Sequence, residues 1–262
     1  MENSNINTPN PTKYTHLKSG LLARFINFFM KRIVVGKTEF IFHHGKPENP
    51  SVFICNHTRA KGPLALQYLY PGDIRTWSNS KLIERKSCYD QFKNNIIKNI
   101  RGEKLFRLLL PIGIPIVNWY YKKQLNCIPV YHDMSVIKTF NNSVETLING
   151  VNVAIYPEIK ETVKNEVISD FATGFSYLGF YYFRKTGKIL QYYPVYIAQT
   201  LRQIHFGKPI AYNPELSMKE QSLSITEYLE NSITELARSL PPHKIITVYG
   251  DYKIHADSPK RS

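Results

Sequence analysis

Sulfur is scarce in this chain, and what there is of it excludes two classes at once. Three cysteines among 262 residues, Cys55, Cys88 and Cys127, are an odd number at wide spacings. They do not make a disulfide framework or metal-ligand spacing, and fit reduced thiols in a cytoplasmic protein. Acidic residues are the second shortage: 20 Asp and Glu stand against 34 Lys and Arg, for a net charge of +14. An excess of that size asks for an anionic partner, which is nucleic acid, anionic lipid or a phosphorylated small molecule. A bilayer-spanning run is also missing. The longest uncharged stretch, residues 108–121, is too short to cross and is interrupted by Pro111 and Pro115. A cleaved secretory signal is not expected, because about twenty polar residues precede the first apolar block. No internal repeat recurs, and low complexity is confined to the first dozen residues, rich in Asn, Ser, Thr and Pro.

What is present is enough apolar material for a core. With 43% hydrophobic and 13% aromatic residues, the chain reads as a disordered tail over 1–16, an amphipathic membrane-associating helix over 17–36, and one α/β domain over 37–262. The positive charge is concentrated. Residues 81–123 hold ten basic side chains against three acidic ones, half of the net excess, and enclose the uncharged run. Residues 21–35 combine Phe25, Phe28 and Phe29 with Arg24, Lys31 and Arg32. Such stripes are commonly core helices whose charges face water. Aromatic and aliphatic residues beside cations are equally what an element lying on an anionic membrane needs, each basic residue near the surface contributing roughly 1 kcal/mol. No helix-turn-helix, zinc or ribonucleoprotein signature accompanies the charge, so no nucleic-acid partner is expected.

Periodicity gives strands at 39–43, 51–55, 73–78, 126–130, 152–156, 189–197 and 202–206. Helical patterns lie between them: one starting near Pro63, an interrupted one over 81–121, then 134–148, 174–186 and 217–239. Alternation of this kind predicts an α/β fold with a mostly parallel or mixed sheet flanked by helices. In such sheets chemistry gathers at strand ends. Pro194, inside the strand 189–197, predicts an edge position or a bulge there.

The informative residues follow strands. Asn56-His57 comes directly after the apolar run Ser51-Val-Phe-Ile-Cys55, and Thr58-Arg59-Ala60-Lys61 follows it. Ile128-Pro129-Val130 closes a second strand, Tyr156-Pro157-Glu158 a third, and Tyr193-Pro194-Val195-Tyr196-Ile197 forms a fourth. A single histidine at a strand end is more often an ordinary loop residue than a catalyst. The order of the four blocks changes that weighting, because it resembles the layout of the 1-acylglycerol-3-phosphate acyltransferases and their glycerol-phosphate acyltransferase relatives. Asp170-Phe171-Ala172-Thr173-Gly174-Phe175 is similar to the segment after the family's third block, and Gly207-Lys208-Pro209 to the turn after the fourth. The likeness covers roughly residues 37–240.

The resemblance implies transfer of a fatty acyl chain from a thioester, on coenzyme A or acyl carrier protein, to the hydroxyl of a lysophospholipid such as lysophosphatidic acid. His57 would be the general base. An imidazole with a pKa near 6.5 can take the alcohol's proton as the carbon–oxygen bond forms. Asn56, Arg59, Lys61, Glu158 and Lys160 are the expected substrate-binding residues. No cofactor and no metal are expected, the acyl thioester entering as co-substrate. Localisation is expected to be cytoplasmic, peripheral on the inner face of the membrane.

Three positions depart from the family pattern. The carboxylate expected after His57 and four intervening residues is replaced by Gly62. In analogous hydrolase triads, removing the orienting carboxylate costs about 10⁴ in rate. The phosphate-binding arginine of the third block falls on Glu161, and that of the second on Tyr131 or His132. Lys160 can replace a charge but not a bidentate fork. Asp73 is a candidate to occupy the space left by Gly62. The alternative reading is a non-catalytic lipid or acyl-thioester binder on the same fold.

Overall fold

The computed structural model describes residues 21–91, 93, 103–159, 162–247 and 251–254. The expected tail, residues 17–20 and Lys160 lie outside them. In chain order the elements begin with α1 (Leu21–Phe29), a π-helical turn (Met30–Val35), β1 (Glu39–Phe42), β2 (Ser51–Cys55) and α2 (Lys61–Leu69). Next come β3 (Ile74–Asn79), α3 (Ser80–Ile83), α4 (Arg85–Gln91), α5 (Glu103–Trp119), a second π-helical turn (Tyr120–Gln124) and β4 (Ile128–Val130). Then follow α6 (Val136–Ile148), β5 (Asn152–Ile155), a short 3-10 turn (Thr173–Ser176), α7 (Tyr177–Thr186), β6 (Gln191–Ala198), β7 (Gln203–Phe206) and β8 (Ile210–Ala211). The chain closes with α8 (Met218–Ser239), β9 (His243–Ile246) and β10 (Asp251–Ile254).

The main sheet runs β1-β7-β6-β2-β5-β3-β4, with β8 pairing β6, and β9 and β10 form a separate antiparallel ribbon. From β6 to β4 neighbouring strands are parallel, whereas β7 is antiparallel to β6 and parallel to β1. The fold is therefore α/β with a mixed, mostly parallel sheet. β2 is buried at every residue and lies between β5 and β6, as an uninterrupted apolar run in a covered parallel sheet should.

Alternation along the strands feeds two cores. Val52, Ile54, Val153, Ile155, Tyr192 and Tyr196 face one side, where α6, α7 and α8 pack. Phe53, Cys55, Ala154, Tyr193, Val195 and Ile197 face the other, against Ala65, Leu66 and Tyr68 of α2 and Val35. α8 presents Ile225, Leu229, Ile233 and Ala237 as a buried stripe at helical spacing. It starts with a capping box in which Ser217 and Glu220 exchange hydrogen bonds.

Four details differ from or refine the pattern-based expectation. β6 is interior rather than an edge. Pro194 is accommodated because its carbonyl accepts from the Gly207 N–H on the β7 side, so its missing donor faces the Gly207-Lys208-Pro209 gap between β7 and β8. α2 starts two residues before Pro63, which still leaves that proline in the first turn, where no intrahelical donor is needed. α5 continues through both Pro111 and Pro115. The strands β8, β9 and β10 were not expected.

Candidate active site at the ends of the central strands

β2, β5 and β6 are parallel neighbours, so the first, third and fourth sequence blocks meet at one end of the sheet. Asn56 turns β2 toward that end. Its Oδ1 accepts from the Ile197 N–H at 2.7 Å and its Nδ2 donates to the Ile197 carbonyl at 3.4 Å. The side chain thus continues the β2–β6 ladder by one rung, which leaves His57 at the mouth of the strand ends. Glu158 fixes His57 from the other side. Its Oε1 accepts from the His57 N–H at 2.5 Å and its Oε2 from the Ser169 N–H at 3.0 Å. Burial raises the Glu158 pKa, and the two backbone donors oppose that shift.

The imidazole itself is less constrained. Nδ1 of His57 is buried and makes no hydrogen bond among the described residues. Burial lowers the ring's pKa below its usual value, so the ring is neutral at pH 7 and able to accept a proton. Tyr156 packs its ring edge-on at 5.5 Å. The buried Tyr156 hydroxyl lies beside the Cys55 thiol and meets no oxygen or nitrogen partner. All three cysteines are buried and unpaired, and burial raises the pKa of each, Cys127 to about 12. None is a thiolate nucleophile.

Gly62 is buried in the first turn of α2, and its φ is not positive. A β-carbon there would lie 1.7 Å from Thr58 Oγ1, 3.1 Å from Thr58 Cβ and 3.2 Å from Ile197 Cγ2. The space beside Gly62 is therefore occupied by Thr58 and is not open. Asp73 does not fill it either. Asp73 precedes β3 at the opposite end of the sheet, where its carbonyl accepts from both the backbone and side-chain N–H of Asn152.

Of the remaining expected residues, Arg59 and Lys61 are exposed, Arg59 with a left-handed φ of 51°. The second block is not a neighbour. β4 is separated from β2 by β5 and β3, about 14 Å at the usual strand spacing. There Thr139 Oγ1 donates to the Pro129 carbonyl and accepts from the Tyr131 N–H, while His132 and Asp133 are exposed. The loop after the third block is held down by α8. Glu230 accepts from the Phe171 N–H at 2.7 Å and pairs with Lys164 at 3.0 Å. Ser169, Thr58 and Glu230 carried no spacing signal in the sequence.

The two apolar, basic segments meet on one flank. Tyr68 of α2 donates to Asn27 of α1 at 2.9 Å and shares a 2.5 Å hydrogen bond with Tyr120, just after α5. Their outer faces are exposed: Phe25 is 68% and Phe28 67% accessible on α1, and Leu108 is 74% and Ile112 68% accessible on α5. Ile116 continues the α5 stripe, with Lys122 and Lys123 exposed beyond it. Among the described residues no helix is long and apolar enough to cross a membrane, and no group of three or more His, Cys, Asp or Glu could hold a metal ion.

No protein-family model matches the chain, and no curated protein matches it. Among solved structures it is similar to the 1-acyl-sn-glycerophosphate (LPA) acyltransferase PlsC from Thermotoga maritima, an enzyme of the kind the four sequence blocks resemble. The match has 15% identity and a TM-score of 0.46, covering 82% of this chain and 79% of that one. At that level the likeness adds no weight to the chemistry of the site.

Proposed function

We propose that this protein is an acyltransferase working on a membrane surface, which moves a fatty acyl chain from acyl-CoA or acyl carrier protein to the hydroxyl of a lysophospholipid such as lysophosphatidic acid. The observation that carries the reading is His57: a neutral ring at the mouth of the central parallel strands, its backbone clamped by Glu158. A hydroxyl is a weak nucleophile at pH 7. His57 takes its proton as the oxygen attacks the thioester carbonyl, the carbon–sulfur bond breaks, and the departing thiolate takes the proton back. No acyl-enzyme is needed, in keeping with cysteines that remain protonated.

Exposed Phe25, Phe28, Leu108 and Ile112 beside lysines support peripheral attachment, which brings a lipid acceptor to the site without a membrane-spanning segment. The second reading, a non-catalytic lipid or acyl-thioester binder, is favoured by His57 Nδ1 having no hydrogen-bond partner among the described residues. Mass spectrometry of the lipid product, after incubation of the chain with acyl-CoA or acyl carrier protein and lysophosphatidic acid on anionic vesicles, separates the two. Phosphatidic acid is expected above the enzyme-free background. Its absence with every donor and acceptor, together with retained vesicle binding, would leave the binder.

A further inference from the structure

We propose that Glu230 of α8 is a positioning residue for His57, acting through the loop that joins β5 to the 3-10 turn. Its purpose rests on the acyl-transfer reading, while its geometry stands without it. Glu230 is only 4% exposed, and burying a charge costs far more than burying a leucine. Holding a loop down does not need it. Val167, Ile168 and Phe171 of the same loop are already buried in the core against α8. Apolar contacts have no direction, however, and a carboxylate supplies one by choosing a particular N–H.

The N–H in question belongs to Phe171. Glu158 and Phe171 stand opposite each other in an antiparallel bridge, flanked by bonds from the Ile159 N–H to the Asp170 carbonyl at 2.8 Å and from the Ala172 N–H to the Pro157 carbonyl at 2.9 Å. In a pair flanked this way the opposed residues' own N–H groups point outward. That of Phe171 is taken by Glu230 Oε1 at 2.7 Å, and Glu230 Oε2 lies 3.0 Å from Lys164 Nζ of the same loop. Two residues earlier, the Ser169 N–H reaches Glu158 Oε2 at 3.0 Å, and Glu158 Oε1 accepts from the His57 N–H at 2.5 Å. Hydrogen bonds thus lead from α8 to the backbone of the base.

The next two turns of α8 touch the same loop but not this path. Thr234 Oγ1 accepts from Asn165 Nδ2 at 3.0 Å, and Arg238 pairs with Glu166 at 2.6 Å. Positions 230, 234 and 238 therefore lie on one face of the helix, yet only Glu230 reaches the stretch that carries the Ser169 N–H. The Arg238–Glu166 pair is exposed and contributes little. Glu158 needs both of its donors, because burial raises its pKa and the Ser169 and His57 N–H groups oppose that rise. If Glu230 releases Phe171, Ser169 turns away and the clamp on His57 loosens. A base displaced by about 1 Å from the bound hydroxyl costs about 10²-fold in rate.

Amide hydrogen exchange of the full chain, read residue by residue by NMR, tests this without requiring activity. In the wild type the Phe171, Ser169 and His57 amides should open together, with one dependence on denaturant. Glu230→Leu, close in volume but without an acceptor, should speed exchange of the Ser169 and His57 amides by about tenfold or more and leave those of Val52, Phe53 and Ile54 in β2 unchanged. Glu230→Gln, whose carbonyl still accepts from Phe171, should restore most of the protection, and Arg238→Gln should change nothing at His57. In the acyl-transfer assay Glu230→Leu should lower kcat by up to about 10²-fold with KM for acyl-CoA unchanged, and Glu230→Gln should recover most of kcat. Unchanged exchange at His57 in Glu230→Leu, an equal rise throughout β2, or lost protection with an unchanged kcat would overturn the proposal. So would separate opening of the three amides in the wild type, which needs no variant to fold. The expected exchange pattern in a chain that transfers no acyl group would support the positioning role and remove the acyl-transfer reading instead.

Discussion

Where β2, β3 and β5 begin, the Asn152 side chain uses both of its ends: Oδ1 accepts from Ser51 N–H at 2.9 Å, and Nδ2 donates to Asn49 Oδ1 at 2.7 Å and to the Asp73 carbonyl at 3.0 Å. Where β2, β5 and β6 finish, His57 Nδ1, Thr58 Oγ1, the Tyr156 hydroxyl and Gln199 Oε1 are buried without a hydrogen bond. They are four of the six such atoms among the described residues, so the deficit is local. One end of the sheet is closed by its own polar groups, and the other leaves them for something else. A structural end maximises internal pairing, whereas a binding or catalytic end keeps polarity in reserve at a cost in stability.

Substitutions at the two ends should therefore act in opposite ways. The largest expected effect is at the closed end. Asn152→Ala removes three hydrogen bonds from a fully buried side chain and should lower unfolding stability by about 3 kcal/mol in a denaturant titration. A loss under about 1 kcal/mol would erase the contrast. Next is Gly62→Asp, which restores the spacing of the resembled family but meets Thr58. It should destabilise by about 2 kcal/mol and leave turnover no higher, with Thr58→Ala in the same chain recovering most of the stability. The smallest effect is at the open end. Thr58→Val deletes an unpaired buried hydroxyl and should leave stability within about 1 kcal/mol of wild type or raise it. If it destabilises as much as Asn152→Ala, the hydroxyl has a structural partner and the two ends are alike.

Much of the sheet was legible because its chemistry is local. Ser51-Val-Phe-Ile-Cys55 and Asn152-Val-Ala-Ile155 are apolar runs bounded by polar residues, and the helices 136–148 and 218–239 carry buried stripes at regular spacing. β8 was not legible, since two residues have no period, and β9 has only the short pattern His243-Lys-Ile-Ile246 after a Pro-Pro pair. At the site, His57 could be singled out because it directly follows a buried strand. The roles of Asn56 and Glu158 as backbone clamps could not, because their partners Ile197, Ser169 and the His57 N–H are set by strand order. The unpaired Thr58 and Gln199 were missed for the same reason. They come from segments about 140 residues apart that meet only because β6 lies beside β2. The exposure of the α1 and α5 faces was likewise undecidable from composition, which suits a core helix and an interfacial helix equally.

The surface reading has its own check. Sedimentation with anionic vesicles should recover most of the protein at low salt and progressively less as salt screens the lysines, while Phe25→Ser with Leu108→Ser should reduce recovery at every salt. Recovery that is independent of vesicles would remove the membrane from the account.

The central claim is that a neutral, incompletely held His57 is the base, and thiol release from acyl-CoA in the presence of lysophosphatidic acid, followed against pH for wild type and His57→Ala, tests it most directly. The burial that lowers the ring's pKa makes the unprotonated base available from below pH 6.5 upward. Wild-type rate should rise with pH through a midpoint below 6.5 and be level by pH 7, and His57→Ala should lose about 10² to 10⁴ of it at pH 7 and lose that rise. Equal rates in the two proteins at every pH would contradict the account.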